Sequence, residues 1–291
     1  MPFAATATDH YAPPRHSAAG RAWRWLTALA VVSTIAVNAY SVLHPFAGQT
    51  QAAVSAKYPT LLTPAGSAFS IWGLIFLALL IYAGWQLLPA QRHLSQPDAV
   101  AKPLTLASVG LGAWVVLFAY EQIVLSAGVM LLILASTAVA YGRTRRRIFV
   151  DAVPRLVGVP FSLLLGWLSV AAVINFTIAI RTLGWQTAEG ATVILTLGLI
   201  VAVAALGLLM SRIFRDLVFP AVVAWALVWV WVAHLHEIPE LGWVALIGAT
   251  VVTIGGFVLS RLGGRKMVWQ LREEAAAAAE AEIAARNIAR D

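Results

Sequence analysis

Large aromatic rings and asparagines inside apolar stretches are the residues of this sequence best suited to chemistry. Phe69, Trp72 and Phe76 follow helical spacing and form one aromatic stripe, while Trp114 and Asn175 belong to two later apolar stretches. Aromatic rings with a few polar groups are the usual lining of a small-molecule site, where an indole N–H or an amide orients the ligand. The same residues would suit a contact between helices. The pattern therefore indicates either a ligand cavity or helix packing.

Residues suited to acid–base, nucleophilic or metal chemistry are few. The chain has no Cys, which excludes thiolate catalysis, disulfides and Cys-ligated metals. His234, His236 and Glu237 are close in sequence ("HLHE"), but residues two positions apart do not share a helix face. Phosphate-binding and zinc-protease motifs are absent. We expect no catalytic residue, no metal site and no cofactor, which indicates a binding or transport protein rather than an enzyme.

Membrane-spanning helices must position these side chains. The 291 residues are 60% hydrophobic and 11% charged, with a mean hydropathy of +0.82. Apolar stretches of about 18–25 residues are typical of transmembrane helices. The sequence predicts an all-α, polytopic membrane bundle of about eight transmembrane helices. They are expected at residues 23–43, 67–88, 103–120, 123–141, 155–180, 190–210, 217–234 and 241–260.

The distribution of basic residues predicts the orientation. With both termini in the cytoplasm, only Lys57 and Arg181 of the 20 Lys and Arg residues would lie outside. This orientation explains the net charge of +7 without a nucleic-acid partner. Residues 1–22 are then a disordered cytoplasmic tail ahead of an uncleaved signal anchor, and residues 261–291 a charged cytoplasmic helix. We expect an integral protein of a bacterial cytoplasmic membrane. No Asp, Glu, Lys or Arg is expected to be buried within a span, which disfavours an ion-coupled carrier.

The polar and aromatic residues fall at one depth in the predicted bundle. With a rise of about 1.5 Å per residue, Asn38, Trp72, Trp114 and Asn175 lie about 8–9 Å from the outer ends of their spans. Four helices therefore contribute to one layer in the outer half of the membrane. Asn38 is a candidate partner for Asn175, because buried amides bond across helices. The loop over residues 44–66 would be either a lid over this layer or a plain connector.

Three segments, in chain order, resemble the TspO/MBR family of translocator and tryptophan-rich sensory proteins. "KYPTLLTPAGSAFSIWGLIF" is similar to the family's first loop and second helix, "AWVVLF" to its third helix, and "VPFSLLLGWLSVAAVINFTI" to its fifth helix. The resemblance covers about residues 25–180, which contain five spans, and leaves out spans six to eight. Ala65 replaces the second proline of the family's pair, and Gly110 and Gly112 stand where the third helix usually has an Asn. The chain is similar to a longer, divergent member.

The resemblance implies a cavity among five helices, covered by the first loop, that binds porphyrins or other flat hydrophobic molecules. The bundle would then divide into a five-helix module over residues 23–180 and three additional helices over residues 190–260. The ligand-binding residues expected from the pattern and the resemblance together are Asn38, Pro64, Phe69, Trp72, Phe76, Trp114, Phe118, Trp167 and Asn175.

Three functions remain open on this evidence. The first is a membrane receptor, sensor or carrier that binds a porphyrin-like ligand in the aromatic cavity. The second is a transporter or transport subunit, and the third is a light-dependent porphyrin-degrading protein. The expected partners are the lipid bilayer, the hydrophobic small molecule and a second copy of the chain in a homodimer.

Overall fold

The computed structural model describes residues 18–151, 153–185 and 189–263, and a few isolated positions between 270 and 281. The part of the chain so described is helical and contains no strand, which confirms the predicted all-α membrane bundle. Most of the predicted tail and the predicted C-terminal helix lie outside the described residues. The helices are α1 Ala18–Leu43, α2 Gln51–Lys57, α3 Ile71–Trp85, α4 Ser95–Ala119, α5 Ile123–Val150, α6 Val159–Thr182, α7 Glu189–Phe214, α8 Val218–Ala233 and α9 Pro239–Leu262.

Seven helical segments of the described chain are long and apolar enough to cross a membrane. The predicted span at 217–234 corresponds to α8, which has only 16 residues. At about 1.5 Å per residue this helix is about 24 Å long, less than the roughly 30 Å of a hydrocarbon core. The short helix α2 lies in the loop between α1 and α3.

Helix α4 begins at Ser95, eight residues before its predicted start at Pro103. A proline inside a helix lacks the N–H that would bond to the carbonyl four residues earlier. Here the carbonyl of Ala99 accepts a hydrogen bond from Arg143 Nη1 at 2.8 Å instead. A side chain of α5 therefore satisfies the backbone group that the proline leaves free, and the helix continues through Pro103.

The helices form two groups that meet along α6 and α8. In the five-helix group, α1, α4, α5 and α6 pack in that order, and α3 packs against both α1 and α6. Helices α7, α8 and α9 pack against one another, and α8 also packs against α6. Gly166 permits this contact, because a Cβ at that position would lie 3.0 Å from Val222 Cβ and 3.2 Å from the carbonyl oxygen of Phe219.

The expectation that no span buries a charged side chain is wrong. Arg24 lies within the predicted first span and is only 4% exposed. It forms an ion pair with Asp98 at 2.6 Å and donates to the carbonyls of Gln91 and Leu94 at 2.9 and 2.8 Å. Its burial is tolerated because a carboxylate and several carbonyls replace water around the guanidinium.

A second buried ion pair joins Arg145 of α5 to Asp216, which precedes α8. Asp216 is 1% exposed and accepts a hydrogen bond from the Tyr141 hydroxyl at 2.9 Å. Arg145 also donates to Ser162 Oγ on α6 at 2.7 Å. Because the partners are distant in sequence, inspection of single spans could not reveal them. This cluster ties the five-helix group to the α7–α8 connection.

Candidate functional site

A small cavity of about 30 Å³ lies at the end of the five-helix group that carries the α1–α3 loop. This volume is far below the roughly 300–1,000 Å³ of a small-molecule site, so a larger ligand would enter only if the walls or the cover moved apart. Helices α3, α4 and α6 form its walls, and the loop contributes its cover. The lining residues are Ser55, Pro64, Phe69, Trp72, Trp114, Phe118, Trp167, Val170, Ala171, Ile174 and Asn175.

Helix α6 supplies the most extensive wall. Trp167, Val170, Ala171, Ile174 and Asn175 line the cavity with the spacing of one helical stripe. The small side chain of Ala171 leaves free space at the middle of the stripe. A large aromatic ring therefore lies at one end of this wall, and an amide at the other.

Helix α4 contributes an aromatic pair that is bonded to the α6 amide. Trp114 is 3% exposed, and its ring stacks on Phe118 with a centroid distance of 5.0 Å and an interplanar angle of 15°. Trp114 Nε1 donates to Asn175 Oδ1 at 3.2 Å. An indole N–H can only donate, so this bond fixes the orientation of the Asn175 amide. Asn175 Nδ2 donates to the carbonyl of Ala171 at 3.0 Å.

The opposite wall consists of aromatic rings at the start of α3. A 3₁₀ turn over Gly66–Ser70 precedes the helix and places Phe69 in the wall. Phe69 and Trp72 contact the ring of Trp167 edge to face, with centroid distances of 5.9 and 6.3 Å. Phe76 stacks on Trp72 at 5.1 Å and supports it without lining the cavity. Both edge-to-face contacts are geometries that aromatic rings favour.

The loop between α1 and α3 covers the cavity, because Ser55 and Pro64 both line it. Glu121, in the α4–α5 turn, binds the first half of this loop. Its carboxylate accepts hydrogen bonds from Gln49 Nε2 at 2.9 Å and the Tyr58 hydroxyl at 2.6 Å, and pairs with Lys57 at 2.8 Å.

These hydrogen bonds change the titration of both partners. The bonds from Lys57, Tyr58 and Gln49 stabilise the charged carboxylate and lower the pKa of Glu121 to about 2. The same carboxylate raises the pKa of the Tyr58 hydroxyl, since an anion beside a phenol disfavours its ionisation. Glu121 therefore stays ionised and holds the loop at any pH near neutrality.

The structure brings seven of the nine predicted ligand-binding residues to this one cavity. Phe76 and Asn38 are not among the lining residues. Asn38 does not pair with Asn175, because its amide donates to the carbonyl of Thr34 in its own helix at 2.9 Å and Asn175 is bonded to Trp114. That these residues bind a ligand stays a prediction.

The predicted set missed several lining residues. Val170 and Ile174 follow from the helical spacing of Trp167, which was a usable signal. Ser55 carries no such signal, since its place depends on how the loop folds back over the helices.

The chemistry available in the cavity is stacking and hydrogen bonding. Among the described residues no charged side chain lines it, and its polar groups are the Asn175 amide, the Ser55 hydroxyl and the indole N–H groups of the tryptophans. Asn175 retains one lone pair and one N–H beyond the two bonds described above, so it can still bond to a ligand. Within the described residues, no group of three His, Asp or Glu side chains could hold a metal ion.

The comparison with known families agrees with this architecture. A family model described as TSPO-like protein matches residues 24–258. The match includes α7, α8 and α9, although we expected the resemblance to end near residue 180. No curated protein and no solved structure matches the chain. Because the family model covers most of the sequence and includes part or all of every helix, this membrane protein belongs to the family of TSPO-like proteins.

Proposed function

We propose that the protein is a membrane receptor, sensor or carrier that binds a flat hydrophobic ligand of the tetrapyrrole class in the cavity between α3, α4 and α6. Membership of the TSPO-like family supports a ligand-binding role in the membrane. The observation that carries the proposal is the composition of the walls: five aromatic rings from three helices and the turn before α3 line the cavity, with one buried amide among them.

The arrangement of the rings favours a planar ligand. The Trp114–Phe118 stack forms one group of rings, and Phe69 and Trp72, which both contact Trp167, form another. A flat π-system that entered between these groups would have to move them apart, and it would then gain stacking or edge-to-face contacts from both. Since no charged residue in the described part of the chain lines the cavity, the buried part of the ligand would be uncharged.

The proposed orientation places both termini in the cytoplasm, so that the cavity opens toward the outer half of the membrane. The support is the separation of Lys and Arg residues between the two sets of connections. Because the chain has no Cys, a single Cys introduced beside Lys57 would report the side of the membrane through labelling by an impermeant maleimide. Labelling in intact cells supports the orientation, and labelling only after lysis contradicts it.

Ligand binding is tested by titrating the detergent-solubilised protein with protoporphyrin in the dark and following the absorption of the porphyrin. The variant Trp72→Ala removes one ring of the wall at the start of α3, and Trp243→Ala is the control because Trp243 lies on α9 and is 57% exposed. We expect the first variant to weaken binding about tenfold or more and the second to leave it unchanged. Equal affinities of all three proteins would contradict the proposal.

Transport is the second candidate, and the buried Arg145–Asp216 pair is the observation that favours it. Ionisable groups buried in membrane bundles often lie on transport pathways. Porphyrin flux into proteoliposomes that is lost in Asp216→Asn, while ligand affinity is retained, would assign transport. Binding without flux would leave the receptor or sensor role.

A further inference from the structure

The second half of the α1–α3 loop, residues 61–68, is held by α8, which does not line the cavity. Three hydrogen bonds make this attachment. His234 Nε2 lies 2.9 Å from the carbonyl oxygen of Leu61, the Ala65 N–H donates to the carbonyl of Trp229 at 3.0 Å, and Trp225 Nε1 donates to the carbonyl of Ala68 at 3.1 Å.

The His234 contact determines which nitrogen of the ring carries a proton. A carbonyl oxygen only accepts hydrogen bonds, so Nε2 must carry the proton that it donates to Leu61. The side chain is 7% exposed, and its Nδ1 atom has no hydrogen-bond partner among the described residues. The Leu61 carbonyl is therefore the partner that holds this ring at the end of α8.

The attached segment contributes to the lining of the cavity. Pro64 lies between the Leu61 and Ala65 contacts and lines the cavity, and Phe69 follows directly after Ala68. The first half of the loop is attached to the five-helix group. Gln49, Lys57 and Tyr58 bind Glu121. The Pro59 carbonyl accepts a hydrogen bond from Arg181 Nη1 of α6 at 2.7 Å. The cover of the cavity is thus attached to both helix groups: residues 49–59 to the five-helix group and residues 61–68 to α8.

We propose that α8 is a positioning element of the cavity, and that His234 is the residue that holds the lining segment 61–68 closed over it. Through α8, the group formed by α7, α8 and α9 would take part in ligand binding. The part concerning ligand retention rests on the proposed function, whereas the attachment itself does not. Helix α8 is placed for this role by its close contact with α6 at Gly166.

Hydrogen exchange of the ligand-free protein tests the attachment. In His234→Ala, the amides of peptides that span residues 61–68 should exchange about three- to tenfold faster, which is the ratio expected for one hydrogen bond. His234→Gln keeps an N–H donor and should restore part of the protection. His236→Ala is the matched control, because His236 is exposed two residues away. Trp225→Phe removes a second bond to the same segment and should have the same effect.

Unchanged exchange in both His234→Ala and Trp225→Phe, with the helices still protected, would overturn the proposal. The dissociation rate of protoporphyrin from the same variants tests the consequence for the ligand, and it should rise by a similar factor. If wild-type protein binds protoporphyrin and His234→Ala releases it at an unchanged rate, the role in ligand retention is overturned. If wild-type protein binds no porphyrin, the proposed function fails, and the exchange data still decide whether α8 holds the segment.

Discussion

The bond between Trp114 and Asn175 gives the most quantitative prediction about the cavity. Replacement of Trp114 by Phe keeps an aromatic ring against Phe118 but removes the N–H that donates to Asn175 Oδ1 at 3.2 Å. Asn175 is 5% exposed, so its oxygen would be left buried with one partner fewer. Leaving a buried acceptor unsatisfied costs about 1–3 kcal/mol, and interhelical bonds in membrane proteins average about 0.6 kcal/mol with a maximum near 1.7.

A double-mutant cycle isolates this bond from the change in ring size. Asn175→Leu removes the acceptor, and the double variant removes both partners. We expect Trp114→Phe alone to lower the free energy of unfolding by about 1–2 kcal/mol, with a coupling energy between the two positions of about 0.6–1.7 kcal/mol. Unfolding in mixed micelles of mild detergent and dodecyl sulfate measures all four proteins. A coupling energy below about 0.3 kcal/mol would refute the reasoning, because it would mean that the two changes are independent.

Two further predictions concern charged residues outside the cavity. Asp216→Ala should destabilise the bundle by about 3–5 kcal/mol in the same unfolding assay, because it leaves the Arg145 guanidinium buried without its carboxylate. The double variant Asp216→Ala with Arg145→Met should recover most of that loss. Glu121 has a pKa lowered from 4.5 to about 2, so the loop attachment is fully present above pH 4.5 and is lost as the pH falls through about 2. Pepsin should therefore cleave the wild-type loop only near pH 2, and the Glu121→Gln variant throughout pH 2–5; cleavage of both at the same pH would contradict this.

The helical bundle could be predicted from the sequence because each span carries its own signal. Apolar length gives the spans, and the helical spacing of Phe69, Trp72 and Phe76 gives an aromatic face. The predicted depths placed Trp114 and Asn175 in the same layer of the membrane, and the structure shows a hydrogen bond between them. Asn38 has a similar predicted depth but does not line the cavity, because depth does not give the direction in which a side chain points around its helix.

The features that could not be predicted depend on contacts between segments that are distant in sequence. Pro103 predicted a helix start, but Arg143 of the next helix compensates for the missing hydrogen bond. Arg145 lies between the predicted spans 123–141 and 155–180, and its burial could not be predicted because Asp216 is its partner only in the folded chain. The contact of His234 with Leu61 joins residues 173 positions apart, and nothing near either residue indicates it.

The central claim is that the space between α3, α4 and α6 holds the ligand, and the most direct test fills that space. Ala171→Phe places a ring into the cavity without removing any lining side chain, whereas Ala138→Phe adds the same ring at an exposed position on α5. Isothermal titration with protoporphyrin in the dark should show saturable binding to the wild type and to Ala138→Phe, and a loss of at least tenfold in affinity for Ala171→Phe. Equal affinity of the three proteins would contradict a binding site in this cavity.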